Sequence, residues 1–168
     1  GFGGQGALFA GQLLAYAAMD AGRFVTWIPS YGPEMRGGTA HCTVIISEEE
    51  IGSPLVRNPS TVIALTNPSA EKYEPLLAIN GYLFYNSSLV SHQFTRRNIH
   101  AIPIAGSEAA AELGHAKLLN MVMLGAMLAH VPVLPLAVVE QALDNHIPAR
   151  RRDLLEAAGP HIGFAFDH

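Results

Sequence analysis

Four of the first six residues are glycine, and the run Gly1-Phe2-Gly3-Gly4-Gln5-Gly6 leads without a break into a helical pattern. Its spacing is G-x-G-x-x-G, in which glycines open backbone conformations closed to other residues and let N–H groups approach an anion closely. The helix that follows adds its positive end to the same place. Gly1, Gly3, Gly4, Gln5 and Gly6 are therefore candidate contacts for a phosphate-bearing ligand. The motif alone is weak, because tight turns also recruit glycine for packing. A nicotinamide dinucleotide would further require an acidic residue about 20 positions on, at the end of the second strand. That region reads Ile28-Pro29-Ser30, and Glu34 lies beyond two prolines. A phosphate ligand lacking that ribose contact fits better.

The rest of the 168 residues alternates between two periods. Residues 7–21 carry apolar and small side chains at helical spacing and stop at Gly22. Short β-branched or apolar runs at 24–28, 39–47, 61–65, 82–85 and 99–104 read as strands, with a short helix at 69–77. Three helices are expected to close the chain at 108–130, 136–145 and 150–158, a helical block of about 106–158. Strands alternating with helices predict an α/β fold, a largely parallel but mixed sheet covered on both faces. The whole chain, 1–168, reads as a single domain.

Only 14% of the residues are charged, against about 25% in an ordinary soluble domain. Ten basic and 14 acidic side chains give a net charge of −4, which leaves no concentrated positive field for nucleic acid. The apolar content excludes disorder. Residues 118–139 lack Asp, Glu, Lys and Arg, yet Asn120, His130, Pro132 and Pro135 interrupt them, so a buried core helix is expected rather than a membrane span. The single cysteine, Cys42, allows no internal disulfide and cannot hold an iron–sulfur cluster. Cys42 and His41 are strand neighbours pointing to opposite faces, so they do not form a nucleophile–base pair. The histidines show no metal-ligand spacing, so no metal site is expected.

The segment 30–38 is over-specified for a plain connection. It combines Ser30, Tyr31, two prolines, Glu34, Arg36 and the pair Gly37-Gly38. Arg36 suits bidentate binding of a carboxylate or phosphate, with Glu34 to orient it; a rigid loop with a local ion pair explains the same residues. Asn86-Ser87-Ser88 ends a strand, where ligand contacts and turn caps both occur. Lys117 and Asn120 lie three apart on one predicted helix face.

Taken together, Gly-Phe-Gly-Gly-Gln-Gly, the run Pro-Ser-Tyr-Gly-Pro-Glu-Met-Arg-Gly-Gly-Thr-Ala-His-Cys-Thr-Val, then Ile-Gly-Ser-Pro, Asn-Ser-Ser, and Lys-Leu-Leu-Asn-Met-Val-Met-Leu-Gly resemble the gamma subunit of 2-oxoacid:ferredoxin oxidoreductases. This is the pyruvate/ketoisovalerate oxidoreductase catalytic domain family, and the likeness is greatest to its 2-oxoglutarate and branched-chain types. The resemblance implies a three-layer α/β/α, Rossmann-like fold whose first strand lies upstream of residue 1. It implies a hetero-oligomer with alpha and beta subunits, with or without a delta subunit, that passes electrons to ferredoxin, with no catalytic residue in this chain; the single cysteine points to a reducing, cytoplasmic compartment. Thiamine diphosphate and iron–sulfur clusters would sit in those partners, with none bound stably by this chain alone, and the isolated chain would be inactive. Coenzyme A would share a site built from Gly1, Gly3, Gly4, Gln5 and Gly6 at its phosphates. Ser30, Tyr31, Glu34, Arg36, Gly37 and Gly38 would form the wall facing the active site, with Asn86, Ser87, Lys117 and Asn120 nearby. The other readings are a nicotinamide-dependent Rossmann dehydrogenase and a nucleotide-binding regulatory module. An obligate partner would also explain the low charge, and predicts exposed apolar surface near the glycine loop or the Tyr31 segment.

Overall fold

The computed structural model describes residues 1–31 and 39–147. In chain order they form α1 (Ala7–Asp20), β1 (Phe24–Tyr31), β2 (Ala40–Ser47), β3 (Thr61–Ala64), α2 (Asn67–Tyr73), β4 (Tyr82–Asn86), β5 (His100–Ile104), α3 (Gly106–Glu112), α4 (Leu119–His130) and α5 (Leu136–His146). Strands β3, β4 and β5 lie side by side in that order, all parallel, with Thr61 opposite Tyr82 and Tyr82 opposite His100. Strands β1 and β2 form a separate antiparallel ribbon in which Trp27 faces Val44 and Pro29 faces Cys42. The mixed α/β class stands, but the strands divide between two sheets.

Strand alternation sorts the side chains into two cores. On one face of the parallel sheet Ile63, Leu65, Tyr82, Phe84, Ile102 and Ile104 pack with α1, α4 and α5. On the other, Val62, Ala64, Leu83 and Tyr85 pack with Ala70 and Leu77, and with Val90, Phe94 and Ile99 of the segment linking β4 to β5. Helix α4 explains the uncharged run: every residue from Leu119 to Leu128 is buried, as expected of a helix that is apolar all round. No described helix is long and apolar enough to cross a membrane. The ribbon joins the first core through α1, which lies so close to β2 that a Cβ added at Gly11 would collide with Cys42 Sγ.

Two sequence-based expectations change. The single helix at 108–130 is broken: α3 ends at Glu112, a 3-10 turn spans Ala116–Leu118, and α4 starts anew. The cause is Gly114 at φ +84°, where His115 N–H reaches back to Ala110 O (3.1 Å) and Gly114 N–H to Ala111 O (2.9 Å). Such paired bonds terminate a helix. Lys117 and Asn120 consequently belong to two different elements. Strand β1 runs on through Pro29 and Ser30 to Tyr31, a course that proline tolerates on an edge strand. The predicted helix at 150–158 lies outside the described residues.

Apolar surface is exposed, only partly where expected. Phe2 in the glycine loop and Phe24 and Ile28 on the ribbon are exposed, but Leu55 (81%) and Ile79 (71%) are more so. Ile79 adjoins the start of β4, at the end of the sheet away from the loop.

Candidate functional site

The glycine loop is closed at both ends by residues remote in sequence. At its start, Gly1 pairs with Ala40 at the head of β2: Ala40 N–H donates to Gly1 O (2.7 Å) and the Gly1 nitrogen to Ala40 O (3.1 Å). The same nitrogen lies 3.0 Å from Ser69 Oγ, which shares a hydrogen bond with Thr66 Oγ1, also at 3.0 Å. Phe2 and Thr39 continue the pairing as an antiparallel bridge. Gln5 turns inward, its Oε1 accepting from Phe2 N–H at 2.7 Å, so this side chain shapes the loop.

At the other end Gly6 stands at φ +78° immediately before α1. Asn120, buried in the first turn of α4, donates from Nδ2 to Gly6 O at 3.1 Å. A Cβ at Gly6 would run into that amide, so both the backbone conformation and the space require glycine. Between these clamps Gly4 adopts φ +93° with nothing within 4 Å of where its Cβ would be. The first N–H groups of α1 have no intrahelical acceptor, and no capping side chain serves them. The result is an open turn in which Phe2 and Gln5 N–H are bonded within the loop, while among the described residues no acceptor serves the first amides of the 14-residue helix at its positive end.

The other candidates divide. Asn86 is fully buried and ties β4 to α3, donating to Ser107 Oγ (2.9 Å) and accepting from Ser107 N–H (3.2 Å). That is a structural brace. Ser87 is exposed, and its N–H donates to Ile104 O at 2.8 Å. Lys117 is exposed on the turn preceding Asn120. Ser30 pairs with His41 across the ribbon and Tyr31 with Ala40, which brings the end of β1 to the strand position that holds Gly1. Glu34, Arg36, Gly37 and Gly38 lie outside the described residues.

Residues that the sequence did not single out complete the surroundings. Ser69, Lys72 and Tyr73 share one face of α2, spaced three and four apart. The Tyr73 ring meets His41 edge-on at 6.0 Å between centroids, and Lys72 Nζ lies 5.2 Å from the centre of that ring. Burial, then the nearby Lys72 charge, pushes the His41 imidazole below its ordinary range. Cys42 points the other way, toward α1, with Sγ 3.6 Å from Ala7 O. Burial pushes its thiol up, away from the reactive thiolate. Among the described residues no three His, Cys, Asp or Glu side chains gather into a metal-binding group. No spacing rule links Ser69 to Gly1 across 68 residues; an Asn-Pro helix start at Asn67 was the only local sign of α2's position.

Comparison with known proteins gives a consistent result. A family model described as pyruvate ferredoxin/flavodoxin oxidoreductase matches residues 1–159. The chain is 43% identical over 129 residues to ketoisovalerate oxidoreductase subunit VorA of Methanothermobacter thermautotrophicus, an alignment covering 77% of this chain and 27% of that one. It thus spans about a quarter of that relative's length. In structure it is similar to the gamma subunit of a keto/oxoacid ferredoxin oxidoreductase from Geobacter sulfurreducens, with a TM-score of 0.82, 30% identity, and 99% and 93% of the two chains covered. It also shares the fold of a 2-oxoglutarate:ferredoxin oxidoreductase from Magnetococcus marinus, with 2-oxoglutarate, coenzyme A and succinyl-CoA bound (TM-score 0.83, 22% identity, 98% and 28% covered). From its N-terminal glycine loop to the helices that clamp it, the chain belongs to the pyruvate ferredoxin/flavodoxin oxidoreductase family.

Proposed function

We propose that this chain is the gamma component of a thiamine-diphosphate-dependent 2-oxoacid:ferredoxin oxidoreductase of the cytoplasm, and that its glycine loop binds the pyrophosphate of coenzyme A. The complex would convert a 2-oxoacid and coenzyme A to acyl-CoA and carbon dioxide, with two electrons passing to ferredoxin. One observation carries the reading: a turn held by the Gly1–Ala40 pairing and by Asn120 that leaves Gly4 open and, among the described residues, the first α1 amides without an acceptor. A pyrophosphate accepts hydrogen bonds from such amides without needing a protein base. The coenzyme A bound in the Magnetococcus protein supports this choice of ligand.

The electron-carrying chemistry belongs to alpha and beta partners. A cluster needs several thiolates, and this chain has a single cysteine whose thiol is held protonated by its surroundings. Thiamine diphosphate would supply the carbanion chemistry from those partners, and this chain's part is to bind and orient the thiol substrate. The dehydrogenase and regulatory-module readings are not supported. The strand following α1 pairs antiparallel with β2, and no acidic residue ends it within the described residues.

The test uses the complex reconstituted with its alpha and beta chains. Gly4→Val introduces a branched side chain at a positive φ without displacing a neighbour. It should raise the KM for coenzyme A about ten-fold while single-turnover release of carbon dioxide from the 2-oxoacid stays unchanged. Equal loss of both would make the loop purely structural and overturn the reading.

A further inference from the structure

Three segments meet at the end of the parallel sheet remote from the glycine loop. Asn58 Nδ2 donates to Leu76 O (3.0 Å) and Ala78 N–H to Pro59 O (2.9 Å), which fixes the chain before β3 beside the chain before β4. Asn80 N–H donates to Asn98 O and His100 N–H to Gly81 O, both at 2.8 Å, which brings the approach to β5 to the same place. On this frame Leu55, Val56, Leu76 and Ile79 are all exposed, and Leu55 and Ile79 are the most exposed large apolar side chains among the described residues. A single exposed apolar side chain needs no explanation, but four on one hydrogen-bonded frame mark an interaction surface. Arg57 and Arg97 are exposed on the same segments, and neither makes an ion pair among the described residues. Glu74, the buried carboxylate just past α2, is taken up by His92, Thr95 and Arg96.

An apolar centre flanked by unpaired guanidinium groups fits a protein surface that is apolar in its middle and carries carboxylates at its rim. A second copy of this chain fits poorly, because a two-fold contact sets the patch against itself and arginine against arginine. In VorA the matched stretch makes up 27% of the protein, so there this fold shares its polypeptide with a larger body. Resting on the oxidoreductase reading above, we propose that the sheet end formed by Leu55, Val56, Leu76 and Ile79 docks a carboxylate-rimmed apolar surface of a partner subunit, with Arg57 and Arg97 pairing to those carboxylates. The chain is thereby held at one end of its sheet while the glycine loop stays free at the other.

In the complex reconstituted with its alpha and beta chains, Ile79 is replaced by the photoreactive p-benzoylphenylalanine and the cross-linked peptides are identified by mass spectrometry. Cross-links should fall on an alpha or beta peptide that contains Asp or Glu. Ile79→Asp and the double variant Arg57→Glu/Arg97→Glu should each weaken assembly about ten-fold, read by sedimentation of the complex, while Ile79→Val assembles as the wild type does. Rising salt should loosen the wild-type complex and have little effect on Arg57→Gln/Arg97→Gln. All three positions are exposed, so these variants test contact rather than folding. Cross-linking to a second copy of this chain, no cross-link at all, or assembly indifferent to the arginines overturns the proposal. If the complex assembles and responds to Gly4→Val but to none of these variants, only this surface falls. If the wild-type chain joins neither partner, the oxidoreductase reading falls with it.

Discussion

The face of α2 toward the glycine loop and the residue just past its last turn are built for opposite purposes. Toward the glycine loop, Ser69 Oγ lies 3.0 Å from the Gly1 nitrogen, and Lys72 makes no ion pair among the described residues. One residue past the helix, Glu74 is buried and saturated. Its Oε1 accepts from Thr95 N–H (2.7 Å), Arg96 N–H (2.8 Å) and the Thr95 hydroxyl (3.3 Å), and its Oε2 meets His92 Nε2. The Arg96 guanidinium then bonds to the carbonyls of Glu74 (2.9 Å) and Leu77 (2.6 Å). Through this one carboxylate the helixless segment between β4 and β5 is fastened to the sheet. A network that satisfies itself stabilises, whereas donors left over are available to a ligand. The difference teaches which polar groups to read as function: those left open in rigid surroundings.

Breaking the saturated end should cost most. Glu74→Gln removes the charge from a site with several N–H donors and should destabilise the chain by about 3 kcal/mol in urea denaturation. The pH profile sharpens this. Burial raises the Glu74 carboxyl, but the Arg96, His92 and Thr95 bonds outweigh burial and hold it below its ordinary range. Its contribution is therefore full above the unfolded value of about 4.3 and is lost as pH falls through the lower folded value. The variant should show a flatter acid limb, and an unchanged limb would mean that Glu74 is not the group responsible.

The seam between ribbon and core comes next. Gly11→Ala sets a methyl against Cys42 Sγ and should cost about 2 kcal/mol by thermal or urea unfolding. Cys42→Ala in the same chain should recover much of it, and strict additivity would show that the two residues do not meet. The smallest stability effect belongs to the open end. Asn120→Ala removes one bond to Gly6 and should cost about 1 kcal/mol. Its larger effect should be on the KM for coenzyme A, since the loop loses its clamp; a change in stability alone would reduce Asn120 to a packing residue.

Much of this was legible beforehand, for reasons that can be traced to particular residues. The loop, the helix after it and the strand alternation of β3, β4 and β5 follow from local spacing. The break at Gly114 was missed because the apolar pattern resumes on its far side, and periodicity outweighed a single glycine. Asn86 was ambiguous because the same amide can cap or bind; its two bonds to Ser107 resolve it as a brace.

By itself, then, the sequence determined where most of the described helices and strands lie, though not the break at Gly114 or the full length of β1, where the glycine turn lies, and that a charge-poor stretch is core. These rest on interactions between residues a few positions apart, which leave a period or a turn signal. Tertiary structure alone decided that the strands form two sheets, that Asn120 clamps Gly6 from 114 residues away, and that His41 of β2 meets Tyr73 of α2. Such pairings depend on which faces are buried together, and a buried face is a property of the packed whole.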